Sequence, residues 1–156
     1  MSRASCLRFK QYAGWKPATL KEKERESAGE RVMAKSLMIV DDSATMRKII
    51  MRTMRMSGLE FNEPQEAGNG KEALEKLSSG PVDIVLCDIN MPEMNGMEFV
   101  KKARELSNCA NTKIIMVSTE SAQELIDNII ADGANGYITK PFTPEKFQEK
   151  LSPFMN

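Results

Sequence analysis

From residue 36 onward, short apolar segments alternate with longer stretches in which apolar residues recur at helical spacing. The segments that we interpret as strands are 37–40, 61–67, 82–87, 113–117 and 136–139. The first, third and fourth are almost entirely apolar, which is typical of parallel strands covered on both faces. Because crossovers between parallel strands are right-handed, the pattern predicts an α/β domain with a doubly wound open sheet of five parallel strands and five helices.

Each predicted helix begins at a residue whose side chain can accept a hydrogen bond from the backbone of the first turn. These residues are Asp42 or Ser43, Asn69, Asn95, Ser121 and Thr143. Glutamate stands three residues after Asn69, Asn95 and Ser121, which is the spacing of a capping box. Proline follows Thr143 at the first helical position, where its missing N–H costs nothing.

The apolar spacing also predicts which helical residues face the core. For the first helix these are Met46, Ile49, Ile50 and Met54, and for the fourth they are Leu125, Ile126, Ile129 and Ile130. The second strand contains Pro64, which has no N–H for a ladder hydrogen bond, so we expect this strand at an edge of the sheet.

Histidine is absent from the sequence, and this excludes several kinds of site. A Ser-His-Asp triad, a histidine-ligated zinc ion and a histidine phosphodonor within this chain all need the missing side chain. The cysteines, Cys6, Cys87 and Cys109, are odd in number and far apart, so they fit neither a disulfide framework nor a metal-ligand spacing. We therefore expect a reducing, cytoplasmic setting.

Charge separates the beginning of the chain from the rest. Residues 1–32 hold eight Lys and Arg against four Asp and Glu, and residues 33–156 hold fourteen against eighteen, so their net charges are +4 and −4. A mildly acidic domain is a poor candidate for nucleic-acid binding. Since no apolar stretch approaches the roughly 20 residues of a membrane-spanning helix, we also expect no membrane insertion.

We interpret residues 1–33 as an extension that precedes a domain at 34–156. The segment KEKERESAGER has no apolar stripe and is typical of a solvated, partly helical segment or of disorder. Two interpretations stay open, a translated extension and a misassigned start with Met33 as the first residue. The second is suggested by residues 21–31, in which Lys, Glu, Arg, Ser and Gly can all be encoded by purine-rich codons.

Charged and hydroxyl side chains follow four of the predicted strands. They are Asp41 and Asp42, then Asp88, then Ser118 and Thr119, and finally Lys140. Parallel strands present their carboxyl ends at one edge of the sheet, so we expect these side chains to converge. Three carboxylates would repel one another, and Mg²⁺ is the cation that suits a few carboxylates with waters. A carboxylate between Mg²⁺ and a lysine is suited to accept a phosphoryl group, which indicates phosphoryl transfer to Asp88.

The segments VDD, CDINMPEMNG, STE and GYITKPF resemble the signature segments of response-regulator receiver domains. The resemblance covers about residues 36–155 and is greatest to CheY-like single-domain chemotaxis regulators, to which DDSATMRKII and GYITKPFTPEKFQEKL are similar. It implies a flavodoxin-like fold with strand order 2-1-3-4-5, an order that the alternation of elements does not itself determine. Ile89 departs from the tryptophan often found there, and we expect no effect on the chemistry.

The resemblance also implies a role for each residue at the predicted edge. Asp88 matches the phosphoacceptor, Asp42 the direct Mg²⁺ ligand, and Asp41 the neighbour that usually acts through water. Asn90 matches the residue whose backbone carbonyl binds the metal ion. Lys140 matches the lysine of the motif, and the Lys140–Pro141 bond is expected to be cis.

Four positions are implied to act in switching and in loss of the phosphoryl group. Ser118 matches the hydroxyl that moves toward the phosphoryl group, and Tyr137 matches the aromatic residue that turns inward when it does. Asn90 and Glu120 match the positions that tune dephosphorylation. The surface that responds is formed by the fourth and fifth helices and the fifth strand, and Ile126 and Tyr137 could form a partner groove there, although core packing explains Ile126 equally well.

By this resemblance the chain is a phosphoacceptor signalling protein that assists its own phosphorylation and dephosphorylation, and is not an enzyme. We expect a stand-alone receiver, since the sequence after the last helix leaves no room for an output domain, and we expect it to be a monomer. The implied partners are a histidine kinase, an output protein such as the flagellar motor switch, and a phosphatase.

Two other functions stay open at this point. A phosphorelay intermediate or phosphate sink would use the same site without motor output. An aspartate-dependent phosphohydrolase would need an acid two residues after the nucleophile, where this chain has Asn90, which argues against it.

Overall fold

The computed structural model of the chain describes residues 34–155. The expected N-terminal extension, including Met33, and the last residue, Asn156, lie outside the described residues. In the part that is described, none of the helices combines the length and apolar character needed to cross a membrane.

Five strands and five α-helices alternate along the described chain. The strands are β1 (Leu37–Val40), β2 (Gln65–Ala67), β3 (Ile84–Cys87), β4 (Lys113–Ser118) and β5 (Gly136–Thr139). The helices are α1 (Ala44–Met56), α2 (Gly70–Ser79), α3 (Gly96–Glu105), α4 (Gln123–Ala131) and α5 (Pro144–Leu151). Short 3-10 helices at Ser107–Cys109 and Ser152–Phe154 follow α3 and α5.

The five strands form one parallel sheet in the order β2-β1-β3-β4-β5. This confirms the doubly wound, flavodoxin-like fold. Successive strand residues point to opposite faces, so in β1 Met38 and Val40 pack in the core shared with α2, α3 and α4. Leu37 and Ile39 pack in the second core, shared with α1 and α5. Both faces of the central strands are therefore covered, as their apolar composition predicts.

Four of the predicted helix starts are confirmed by side-chain caps. The capping residues are Ser43, Asn69, Asn95 and Thr143. Each accepts a hydrogen bond from the backbone N–H three residues later. The Glu72 carboxylate reaches back to the N–H of Gly68 at 2.9 Å, one residue before the cap.

The predicted capping box of the fourth helix is wrong. Helix α4 begins at Gln123, its N-cap is Ala122, and no side chain caps it. Ser121 therefore lies one residue outside the cap position, and Glu124 is only the second residue of the helix, so the two cannot bond reciprocally as a capping box requires.

The two predicted apolar stripes are too wide. Ile49 is 45% exposed and Ile130 is 41% exposed, whereas their neighbours Ile50 and Ile129 are buried. Adjacent helical residues differ in direction by about 100°, so only one of each pair can face the sheet. The exposed member of each pair is available for contact with another molecule.

Two strands are shorter at their beginning than the sequence predicts. Strand β2 starts at Gln65 rather than residue 61, because Pro64 has no N–H to give, although the expected edge position is confirmed. Strand β3 starts at Ile84 rather than residue 82. The N–H of Asp83 donates to the Ser36 hydroxyl at 2.9 Å instead of to a strand carbonyl.

Helix α3 begins in unusually close contact with the end of β3. The N–H of Gly96 donates to the carbonyl of Ile89 at 2.8 Å. A β-carbon at residue 96 would lie 2.3 Å from the carbonyl oxygen of Asp88 and 2.9 Å from the Cα of Ile89, both of which are backbone atoms. Only glycine fits there, and it sets the path of the loop after Asp88.

We expect Gly96→Ala to lower the free energy of unfolding by about 2 kcal/mol, because the loop or helix must shift to relieve the clash. Urea denaturation measures this change. The matched control is Gly80→Ala, where an added β-carbon meets no atom within 4 Å and φ is −173°, so the change should stay within about 0.5 kcal/mol. Equal effects of the two substitutions would contradict this interpretation of Gly96.

Candidate functional site

The predicted site residues converge at the carboxyl edge of the sheet. Val40 and Cys87 are paired in the ladder between β1 and β3, so the residues that follow them, Asp41 and Asp88, lie side by side. The N–H of Asp88 donates to the carbonyl of Val40 at 2.9 Å, which continues the ladder into the site. The position of these two aspartates thus follows from the regular geometry of the strands.

Asp41, Asp42 and Asp88 form a compact acidic cluster. One carboxylate oxygen from each lies within 4.8 Å of the others. Asp41 is buried, with 2% of its surface exposed, whereas Asp42 is exposed. The N–H of Ser43 donates to Asp41 Oδ1 at 2.9 Å, so the turn into α1 holds one oxygen of the buried carboxylate.

Lys140, at the end of β5, brings a positive charge to this acidic cluster. Its Nζ donates a hydrogen bond to Asp41 Oδ2 at 3.2 Å and lies 3.7 Å from Asp88 Oδ2. The lysine backbone is fixed by its N–H, which donates to the carbonyl of Ser118 at 2.8 Å. The peptide bond between Lys140 and Pro141 is cis, as expected.

The ionised Asp88 carboxylate is only partly compensated. Burial raises the pKa of Asp88, the Lys140 charge opposes this rise, and the Asp41 and Asp42 charges add to it. The N–H of Ile89 donates to Asp88 Oδ1 at 2.8 Å and favours the ionised form. The net direction is upward, so a further positive charge would be favourable beside Asp88.

The residues present fit a small divalent cation. The donors are carboxylate oxygens, which hard cations prefer, and three negative charges face one ammonium group. Asn90 is exposed two residues after Asp88, in the loop that leads to α3. Its predicted part as a backbone ligand stays a prediction.

Ser118, Glu120 and Tyr137 form a second group beside the acidic cluster. Ser118 is completely buried, and its Oγ accepts a hydrogen bond from the N–H of Glu120 at 3.4 Å. The Tyr137 hydroxyl donates to the carbonyl of Glu120 at 2.6 Å, and burial raises the pKa of this phenol. Tyr137 is 9% exposed, so its ring lies inward, and it ties the loop after β4 to β5.

A surface groove lies next to this second group. Its lining includes Ile126 and Ile130 from α4, Tyr137 from β5, and Lys146 and Lys150 from α5. Ile126 is half-buried and packs against the core, while Ile130 is exposed, so Ile126 serves both the core and the groove. The groove combines apolar and positively charged side chains.

Sequence reasoning missed Arg47, which contacts the acidic cluster from α1. Its Nη1 donates to the backbone carbonyl of Asp41 at 2.6 Å, and its Nε donates to Glu66 Oε1 at 2.8 Å. In the sequence Arg47 stands among other basic residues of α1 and resembles part of a solvated helix face. The pairing with Glu66, nineteen residues away on β2, has no local signal.

The loop between β3 and α3 also holds a backbone feature that the sequence does not reveal. Glu93 has a φ of +65°, and the N–H of Met94 donates to the carbonyl of Pro92 at 2.7 Å, which defines a γ-turn. Such turns cost free energy for a residue other than glycine and are found at functional loops.

Comparison with known proteins agrees with this geometry. Residues 37–152 match the response regulator receiver domain family. The chain is 44% identical over 116 residues to chemotaxis protein CheY1 of Helicobacter pylori. The aligned region covers 74% of this chain and 92% of that protein.

Two solved structures share the fold. Chemotaxis protein CheY4 of Vibrio cholerae superposes with a TM-score of 0.69 at 36% identity, covering 78% of this chain and 98% of that chain. The CheX–CheY–BeF3–Mg²⁺ complex of Borrelia burgdorferi gives a TM-score of 0.69 at 29% identity, covering 77% and 89%. The chain therefore belongs to the response regulator receiver domain family and is closely related to the CheY chemotaxis regulators.

Proposed function

We propose that this receiver accepts a phosphoryl group on Asp88 from a histidine kinase and then binds a partner protein more tightly. The observation that carries the proposal is the setting of the Asp88 carboxylate. It ends a buried strand, lies 3.7 Å from Lys140 Nζ, and shares a cluster with Asp41 and Asp42. Phosphoryl transfer depends mainly on alignment and on neutralising charge, which this arrangement supplies.

Mg²⁺ is the cofactor that we propose for the acidic cluster. Asp42 and Asp88 would hold it directly, Asp41 through water, and Asn90 through its backbone carbonyl. When bound, the ion would neutralise negative charge on the oxygens of the transferring phosphoryl group. The presence of BeF3 and Mg²⁺ in the similar Borrelia burgdorferi complex supports this choice of ion.

In the proposed transfer, a carboxylate oxygen of Asp88 attacks the phosphorus of a phosphohistidine on the kinase. A P–O bond to Asp88 forms as the P–N bond breaks, and the imidazole nitrogen keeps the electron pair of that bond. Lys140 stays close enough to offset the added negative charge. The sequence has no histidine, so the donor side chain belongs to another protein.

The same event would reorganise the loop after β4. A phosphoryl group brings a charge of about −1.5 to −2 and three acceptor oxygens, and the buried Ser118 hydroxyl is the donor that we propose to move toward it. That hydroxyl now accepts from the N–H of Glu120, whose carbonyl is held by Tyr137. Movement of Ser118 would therefore change how Tyr137 presents the groove to a partner.

We propose the flagellar motor switch as the partner that binds this groove, in line with the relationship to chemotaxis regulators. A phosphatase is the further partner that we propose for signal termination. Asn90 and Glu120 are both exposed at the rim of the site, where they could tune dephosphorylation. Cys87 and Cys109 are buried free thiols, which supports a cytoplasmic location.

We expect wild-type protein to take up one phosphoryl group from acetyl phosphate with Mg²⁺, measured by intact mass. Asp88→Asn should take up none, and chelation of Mg²⁺ should slow labelling by about 100-fold or more, because charge on the phosphoryl oxygens is then not neutralised. The control is Asp127→Asn, an exposed carboxylate on α4 that should label normally. Labelling of Asp88→Asn at the wild-type rate would refute Asp88 as the acceptor.

Labelled protein also distinguishes the proposed function from a phosphohydrolase and from a phosphorelay intermediate or phosphate sink. Hydrolysis of a small phosphate ester far beyond one equivalent would favour a phosphohydrolase, which the amide of Asn90 argues against. Rapid return of the phosphoryl group to a histidine protein, without a change in partner binding, would favour a relay or phosphate sink.

We expect Asp88→Asn to raise the melting temperature of the metal-free protein, because it removes one of three crowded carboxylates and keeps the acceptor for the Ile89 N–H. Added Mg²⁺ should stabilise the wild type much more than this variant. Differential scanning calorimetry with and without Mg²⁺ measures both effects. Lower metal-free stability of Asp88→Asn would show that the carboxylates do not repel one another enough to matter.

We expect phosphorylated protein to bind a motor-switch peptide more tightly than unphosphorylated protein, measured by fluorescence anisotropy. Ile130→Asp should weaken this binding by about 10-fold or more, since it places a charge in the apolar part of the groove. The control is Met56→Asp, which changes an exposed apolar residue on α1 and should leave binding unchanged. Equal affinity of the two phosphorylation states would contradict the switch.

A further inference from the structure

Arg47 connects three parts of the molecule around the acidic cluster. It is the fourth residue of α1, its Nη1 donates to the carbonyl of Asp41 at 2.6 Å, and its Nε pairs with Glu66 Oε1 at 2.8 Å. The arginine side chain is 17% exposed, so both contacts are partly shielded from water. A guanidinium group can make both bonds at once because its donors lie in a rigid plane.

The carbonyl that Arg47 holds belongs to the peptide unit that joins Asp41 to Asp42. This unit is planar, so a bond that fixes its oxygen also fixes the direction in which the chain continues into Asp42. Asp41 is already held through both carboxylate oxygens, by the N–H of Ser43 and by Lys140. Asp42 is exposed, and its position depends on the backbone that carries it.

Glu66 fixes Arg47 from the opposite side. It lies on the edge strand β2, and its own carbonyl accepts a hydrogen bond from Lys76 of α2. Lys76 in turn pairs with Glu72 at 3.1 Å, and Glu72 accepts from the N–H of Gly68. The guanidinium group is therefore held between β2 and the turn after β1.

We propose that Arg47 is a positioning residue that orients the Asp41–Asp42 peptide so that the Asp42 carboxylate faces the cation site. The inference rests on the proposed binding of Mg²⁺ at the acidic cluster. Glu66 acts through Arg47, since it contacts the guanidinium group and not the acidic cluster.

Positioning and simple electrostatics give opposite expectations for this residue. Arg47 carries a permanent positive charge close to a site for a cation, so its charge alone weakens cation binding. Removal of that charge should then tighten binding. If the main effect of Arg47 is to orient Asp42, removal should weaken binding instead, as loss of an outer-shell contact to a metal ligand does.

The experiment is a calorimetric titration of the unphosphorylated full chain with Mg²⁺. We expect Arg47→Gln to raise the dissociation constant by about 10-fold. Arg47→Lys should also bind more weakly than the wild type, since an ammonium group cannot span both contacts. The matched control is Arg52→Gln, which removes the same charge from an exposed position on the same helix and should change affinity less than about 2-fold.

A second variant covers the case in which Arg47→Gln folds poorly. Glu66→Gln removes the ion pair but leaves the bond from Arg47 to Asp41, so we expect a smaller loss of about 3-fold. In a double-mutant cycle, Glu66→Gln should add nothing further to Arg47→Gln, because the two residues act in series.

Unchanged or tighter Mg²⁺ binding by Arg47→Gln would overturn the inference, even if its melting temperature fell, because Arg47 would then be only structural. Full affinity of Arg47→Lys would overturn it as well, since a side chain that cannot span both contacts would then serve as well as arginine. The wild type separates this failure from that of the proposed function. If wild-type protein itself binds no Mg²⁺ and takes up no phosphoryl group, the proposed function fails first.

Discussion

Three carboxylates facing one ammonium group form the constraint on which the rest of this structure depends. The strands place Asp41 and Asp88 side by side, and Lys140 offsets only part of their charge at 3.2 and 3.7 Å. Such crowding is unfavourable in the absence of a further cation, so it must be maintained by the folding free energy of the surrounding domain. A site that costs stability in this way is typical of function, and its excess negative charge favours the cation that we propose there.

The domain provides that stability through two apolar cores, one on each face of the sheet. Strands β1 and β3 are buried along their whole length, and α3 begins so close to β3 that only Gly96 fits. The opposite side of the site is less restrained. Helix α4 has no side-chain cap, and Ile129 is its single buried residue. The acidic cluster therefore lies at the ends of buried strands, while the loop after β4 leads into a helix with no side-chain cap and one buried residue, which suits the proposed switch.

The sequence was sufficient to predict the alternation of strands and helices along the chain. It also predicted that the strand-end residues converge, because parallel strands present their carboxyl ends at one edge of the sheet. It was not sufficient where tertiary contacts decide the outcome. Ile49 and Ile130 fit the helical spacing but lie on the exposed side of their neighbours. Ser121 fits a capping box, yet the helix starts later. The bond from Arg47 to the carbonyl of Asp41 joins a side chain to a backbone atom, which residue types alone do not reveal.

Substitution of Mn²⁺ for Mg²⁺ tests the central claim most directly, because a paramagnetic ion broadens NMR signals only close to where it binds. We expect small amounts of Mn²⁺ to broaden first the backbone amide signals of Asp42, Ile89 and Asn90, with recovery when excess Mg²⁺ is added. The signals of Lys150 and Ser79, at the far ends of α5 and α2, should remain sharp at the same concentration. Broadening that is uniform, or that is centred away from the turns after β1 and β3, would contradict a cation site among the three carboxylates.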